Sequence, residues 1–251
     1  MRIGKPARLV VLATAVLAVS AAAKAQGSGD GYLFAPPTVT FTVVGGFAAP
    51  LAGGSLFDFT TRELTLGRSD FGSSAFGLEL GITTSRRTEL MVGYVSGGTK
   101  QRSEFRDWVD NNDLPIEQST RFDRTPVTVN LRYYLTDRGR RIGSVAWIPN
   151  RFVPFVSGGV GLTKFRFEQD GDFIDMQTLN VFRDNLRSQG WARTLHASGG
   201  AQWSLSTRMQ LTGEVRYMHG GVDASRGDGD FVGYRLDLSG VSTVIGLTLR
   251  L

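Results

Sequence analysis

His196 and His219 are the only imidazoles in a chain of 251 residues that contains no cysteine. His196 precedes Ser198 by two positions, so on an extended strand both side chains leave the same face. Glu214 lies one alternating stretch further on. A histidine beside a serine hydroxyl can act as its general base while a carboxylate orients the ring. The competing reading is a histidine hydrogen-bonded within a filled interior. It is favoured, because alternation turns both His196 and Ser198 to the polar side of their strand.

A second group is ionic. Glu79, Arg132, Glu214 and Arg216 occupy the polar rows of three separate stretches. Charges confined to an interior need partners, since an unpaired one is strongly destabilising. Two carboxylates and two guanidiniums can neutralise one another, and an ion path gated by those pairs is the functional alternative. Other motifs are weak. Arg226-Gly227-Asp228 is an integrin-type tripeptide of a kind that recurs by chance in solvated turns. Asp223, Asp228 and Asp230 lack the spacing of a calcium loop, as does the acidic stretch 110–113. No zinc pair, phosphate-cradling glycine loop or nucleotide fingerprint occurs, so no metal or cofactor is expected.

The elements that must position these groups are strands. In the final stretch Val241, Thr243, Ile245, Leu247, Leu249 and Leu251 form a largely apolar row, opposite Ser242, Val244, Gly246, Thr248 and Arg250. One greasy face and one wet face suit a barrel wall in lipid, where the lumen is the polar side. Seven more alternating stretches precede it, over residues 38–46, 74–83, 90–94, 126–135, 152–162, 191–205 and 208–218. Tyr94, Tyr133, Trp203 and Tyr217 are candidates for interfacial aromatic belts. Long links (47–73, 97–125, 168–190, 220–233) alternate with shorter ones. That asymmetry is expected of a barrel with periplasmic turns and extracellular loops. Within the long links, Leu179, Phe182 and Leu186 have helical spacing over 172–187, and Thr60-x-x-Glu63 resembles a capping box.

The first residues read as a leader. Arg2, Lys5 and Arg8 precede an apolar run, and Ala23-Lys24-Ala25 offers small residues two apart for cleavage. Residues 1–25 are therefore expected to be a signal peptide, 26–37 a periplasmic lead and 38–251 the barrel. The leader holds four of the 28 basic residues and no acidic one, leaving 24 basic against 23 acidic. The basic balance of the whole chain is then a targeting feature, and no nucleic-acid partner is expected. No stretch beyond the leader is long and apolar enough for a membrane helix. A sheet in hydrocarbon cannot leave an edge unpaired, so eight strands must close. Eight strands leave a lumen that side chains fill, which favours plugging over conduction.

With its signal peptide, eight alternating strands, the run FVPFVSGGVGL over 152–162 and its terminal strand, the chain resembles the small outer-membrane β-barrel family typified by OmpA, OmpX and the opacity-type proteins. The resemblance implies an all-β, closed, antiparallel, eight-stranded up-and-down transmembrane barrel with four long extracellular loops. It also implies an internal charge network and a structural or surface-interaction role without enzymatic activity. The expected partners are outer-membrane lipid, lipopolysaccharide and the assembly machinery, the last through the terminal strand, with the protein a monomer. Family members usually end on an aromatic residue; this chain ends on Leu251. His196, Ser198 and Glu214 are superficially similar to the His-x-Ser and Glu of outer-membrane lipid A deacylases. Gly199 stands where those enzymes have asparagine, however, and the pair faces away from lipid.

Overall fold

Alternation builds the wall. The computed structural model describes residues 31–110, 113–143, 146–174, 178, 180–225 and 229–251. Eight antiparallel strands close into a ring: β1 (Val39–Pro50), β2 (Ser73–Thr83), β3 (Thr88–Val109), β4 (Pro115–Tyr134), β7 (Phe152–Ile174), β8 (Val181–Ser204), β9 (Met209–His219) and β12 (Gly240–Arg250). Two small hairpins stand outside the ring, β5 (Gly139–Ile142) with β6 (Ala146–Pro149), and β10 (Gly221–Asp223) with β11 (Arg235–Asp237). Closure is continuous, β1 pairing with β12 from Thr40↔Arg250 to Pro50↔Gly240.

The two faces separate as the parity requires. Ile245 is 62% exposed and its neighbour Val244 3%; Phe76 is 67% exposed while Glu79 is 8%. Thr42, Arg132, Thr212 and Thr248 point inward and are buried, whereas Leu80, Val129, Leu195 and Leu247 point out. Water-soluble proteins put polar groups outside, and this distribution is the reverse. It suits a wall set in hydrocarbon. The belt candidates Tyr94, Tyr133, Trp203 and Tyr217 are all exposed on the outer face. From Trp203 to Trp191, β8 covers about 40 Å of strand, or about 30 Å of height at the usual tilt, close to a bilayer's hydrocarbon thickness.

Two of the expected long loops are instead tall hairpins. β3 and β4 stay paired from Thr88↔Tyr133 up to Glu104↔Glu117, with an irregularity before Val109↔Pro115. β7 and β8 pair without a break from Phe152↔Trp203 to Ile174↔Val181. The helix expected over 172–187 is therefore corrected: Phe182 and Leu186 belong to β8, and Leu179 lies outside the described residues. The reason is cooperative, since extending an existing ladder adds a bond per residue while a short isolated helix must nucleate. Phe165 and Phe167, both inward and buried, continue the two-residue period past the membrane zone.

The first long link does hold a helix, α1 (Gly54–Glu63), but seven residues earlier than the capping box would place it, its N-cap being Gly53 rather than Thr60. Leu56, Phe57 and Thr60 form its buried face. Thr60 is interior to the helix, its hydroxyl donating to the Leu56 carbonyl at 2.8 Å. Burial of that face outweighed the cap. The expected leader and the Arg226-Gly227-Asp228 tripeptide lie outside the described residues.

Candidate functional site in the barrel interior

The interior is layered from the short-turn end upward. At the bottom, Glu89 of β3 collects three partners. Thr40 donates to it at 2.6 Å, Tyr134 donates a further hydrogen bond, and Arg138, from the link after β4, stands 3.9 Å away. Gln202 donates to the Tyr134 hydroxyl at 3.2 Å. Beneath them Leu33 and Trp147 exchange backbone hydrogen bonds at 2.9 and 2.7 Å, folding the β5–β6 hairpin under the ring. Arg250 of β12 lies over the Trp147 ring, 5.8 Å from its centroid.

The middle layer is ionic. Arg216 of β9 reaches Glu79 of β2 at 2.7 Å and Glu214 of its own strand at 2.8 Å. Arg132 of β4 meets Glu214 at 3.1 Å from the opposite wall. All four groups named from parity thus converge on one point of the lumen, with every charge in contact with an opposite one. Arg132 also lies over the Phe155 ring at 4.1 Å, which supports its guanidinium where no second carboxylate is available. Thr42 and Thr248 complete the layer with a hydroxyl contact of 2.8 Å between β1 and β12.

Above the charges is a cavity of about 100 Å³ bordered by Asn130, Arg124, His196, Ser198 and Met218. His196 and Ser198 both face the lumen. His196 Nε2 contacts the Thr194 hydroxyl at 2.9 Å, and Ser198 borders the cavity together with Glu214. Glu214 is engaged by Arg132 and Arg216. The histidine, serine and acid therefore border one cavity, but His196 is engaged by Thr194 and Glu214 by two guanidiniums, and none of the three opens onto the outer wall.

The top is hydrophobic. Inward residues of the tall hairpins (Phe105, Phe122, Phe165, Phe167) pack with Phe57 of α1, Phe71, Phe231 and Leu236 of β11 into one buried cluster. Phe57 sits at its centre, with ring centroids of Phe71, Phe122 and Phe167 at 4.8, 5.2 and 5.6 Å.

Sequence reasoning found the ionic layer but missed the bottom and the top. Glu89 is the inward neighbour of Leu90, one residue before the third alternating stretch begins. Arg138 and Phe57 come from links, where no alternation announces which way a side chain turns. Asp223 and Asp230, which lack the spacing of a calcium loop, have other partners: Asp230 accepts from the Arg187 backbone at 2.8 Å, and Asp223 lies 3.9 Å from Arg235. Among the described residues no cluster of acidic or imidazole groups could hold a metal.

No family model and no curated protein matches the chain. Solved structures resemble it in shape. Neisserial surface protein A is 9% identical, covering 85% of this chain and 96% of its own, with a TM-score of 0.47. The outer membrane protein OprG of Pseudomonas aeruginosa is 14% identical over 86% and 97%, with a TM-score of 0.46. The N-terminal β-barrel domain of OprF from the same organism is 10% identical over 86% and 100%, at 0.39. The chain is an eight-stranded antiparallel barrel. These likenesses are of fold, and what the interior does must be argued from its own residues.

Proposed function

We propose that the protein is an outer-membrane barrel with a closed lumen, whose role is structural and surface-presenting rather than conductive or catalytic. The observation that carries this reading is the convergence of Glu79, Arg132, Glu214 and Arg216 from facing walls. A solute crossing the barrel would have to separate buried ion pairs and expose each charge without its partner, which is costly. The bottom network at Glu89 and the aromatic cluster at the top add two further obstructions. The long-hairpin end, with its exposed polar outer surface, is the part offered to the outside. A hydrolase reading is less well supported, because His196 and Ser198 face a small internal cavity while acylated lipid lies against the outer wall.

Planar-bilayer recording tests the proposal. The full chain, folded and inserted, is expected to give flat traces at moderate voltage. Discrete single-channel steps that persist in independent preparations would show that the lumen conducts.

A further inference from the structure

Where β4, β7 and β8 adjoin, the outer wall carries a groove of about 610 Å³. Its floor is Val129, Val160, Leu162 and Leu195, and its upper end is marked by Trp191 and Arg193. The pairs Leu162↔Arg193 and Lys164↔Trp191 set Lys164 and Arg193 as diagonal neighbours on the outward face. Diagonal neighbours are roughly 7–8 Å apart, so two flexible cations can close on one phosphate.

Two other cations on this wall are occupied. Arg121 pairs with Asp123 at 2.6 Å, and Arg166 pairs with Glu168. Burial opposes ionisation of Glu168, but hydrogen bonds from Asn185 and Arg166 and the nearby positive charge outweigh it, holding the carboxyl below its ordinary value. Lys164 and Arg193 have no carboxylate within ion-pair distance among the described residues. Both are exposed. They stand at the upper limit of the apolar outer face, where an aromatic residue marks the interface.

We propose that this groove seats a phosphorylated acyl glycolipid of the outer leaflet, with an acyl chain along the apolar floor and a phosphate between Lys164 and Arg193. The inference rests on the membrane reading above and names the lipid that the wall would select. The glycolipid is favoured over a glycerophospholipid because the β7–β8 hairpin continues upward past the cations. Its outward Arg166, Gln189 and Arg187 form a polar wall beside which a sugar headgroup can lie.

Native mass spectrometry of the full chain released from nanodiscs tests it. The discs contain bisphosphorylated lipid A, dephosphorylated lipid A or phosphatidylglycerol. Lipid A is expected to stay bound, with retention falling about fivefold for Lys164→Gln and about thirtyfold for Lys164→Gln with Arg193→Gln, each interfacial cation being worth roughly 1 kcal/mol. Dephosphorylated lipid A should behave like the double variant. Val160→Trp, which fills the floor and leaves both cations, should also lower retention. Equal retention by the double variant, or phosphatidylglycerol held as well as lipid A, would overturn the assignment while leaving the barrel intact. Heat-shifted gel migration reports insertion separately: a chain that never enters discs defeats the membrane reading itself, and this inference with it.

Discussion

Arg216→Leu is expected to lower the unfolding free energy of the membrane-inserted barrel by about 3–5 kcal/mol, the cost of stranding buried charge. Arg216 is the one cation that touches both carboxylates, Glu79 at 2.7 Å and Glu214 at 2.8 Å. Its loss leaves Glu79 without its ion pair and Glu214 dependent on Arg132 alone. Arg132→Leu should cost less, because Glu214 then keeps Arg216. Adding Glu79→Gln to Arg216→Leu should recover part of the loss, since a neutral amide can be buried at lower cost than an unpaired carboxylate. Urea unfolding in lipid vesicles, followed by tryptophan fluorescence and by heat-shifted gel mobility, gives these values together with that of Glu79→Gln alone. A double-mutant cycle then isolates the Glu79–Arg216 coupling. Equal effects for Arg132→Leu and Arg216→Leu would contradict the shared-cation geometry.

Phe57→Ala is expected to be as costly locally, about 3–5 kcal/mol for a fully buried aromatic, yet to leave the barrel standing. Phe57 is 0% exposed and is held between Phe71, Phe122 and Phe167. Those partners belong to the top of the tall hairpins and to the first long link, above the ionic layer. The ring of strands keeps its ladder when they loosen. The expected signature is therefore faster external proteolysis and hydrogen exchange over residues 51–72, at unchanged heat-shifted migration. A wholesale loss of folded barrel from Phe57→Ala would mean that the aromatic cluster and the wall unfold as one unit. Unchanged protection would mean that α1 is not anchored by this residue.

Parity made the wall and its ionic layer legible. Where a strand alternates, as in Val127-Thr128-Val129-Asn130-Leu131-Arg132, the inward member is determined by counting, so four charges could be assigned to the lumen without coordinates. Counting failed where the outward row turns polar. Above Tyr94 the outer face of β3 reads Ser96, Gly98, Lys100 and Arg102, and that of β4 reads Thr125, Asp123, Arg121 and Ser119. Both faces then look loop-like, although the inward Phe105, Phe122, Phe165 and Phe167 keep the two-residue period. An apolar outward row is a strand signal only where hydrocarbon touches the wall, and above that zone the condition lapses. Links were opaque for a different reason. Arg138, Trp147 and Phe57 are placed by where the ring lets them reach, a tertiary property that local spacing does not carry.

The central claim is that hydrocarbon contacts the odd row of β12 while the even row lines the lumen. The chain has no cysteine, so single-cysteine nitroxide labels can be placed one at a time at 243–249 without background reaction. Collision with oxygen, which concentrates in lipid, should be high at Thr243, Ile245, Leu247 and Leu249 and low at Val244, Gly246 and Thr248, a strict period of two in vesicles. Uniform accessibility along the series, or maxima at the even positions, would contradict the account.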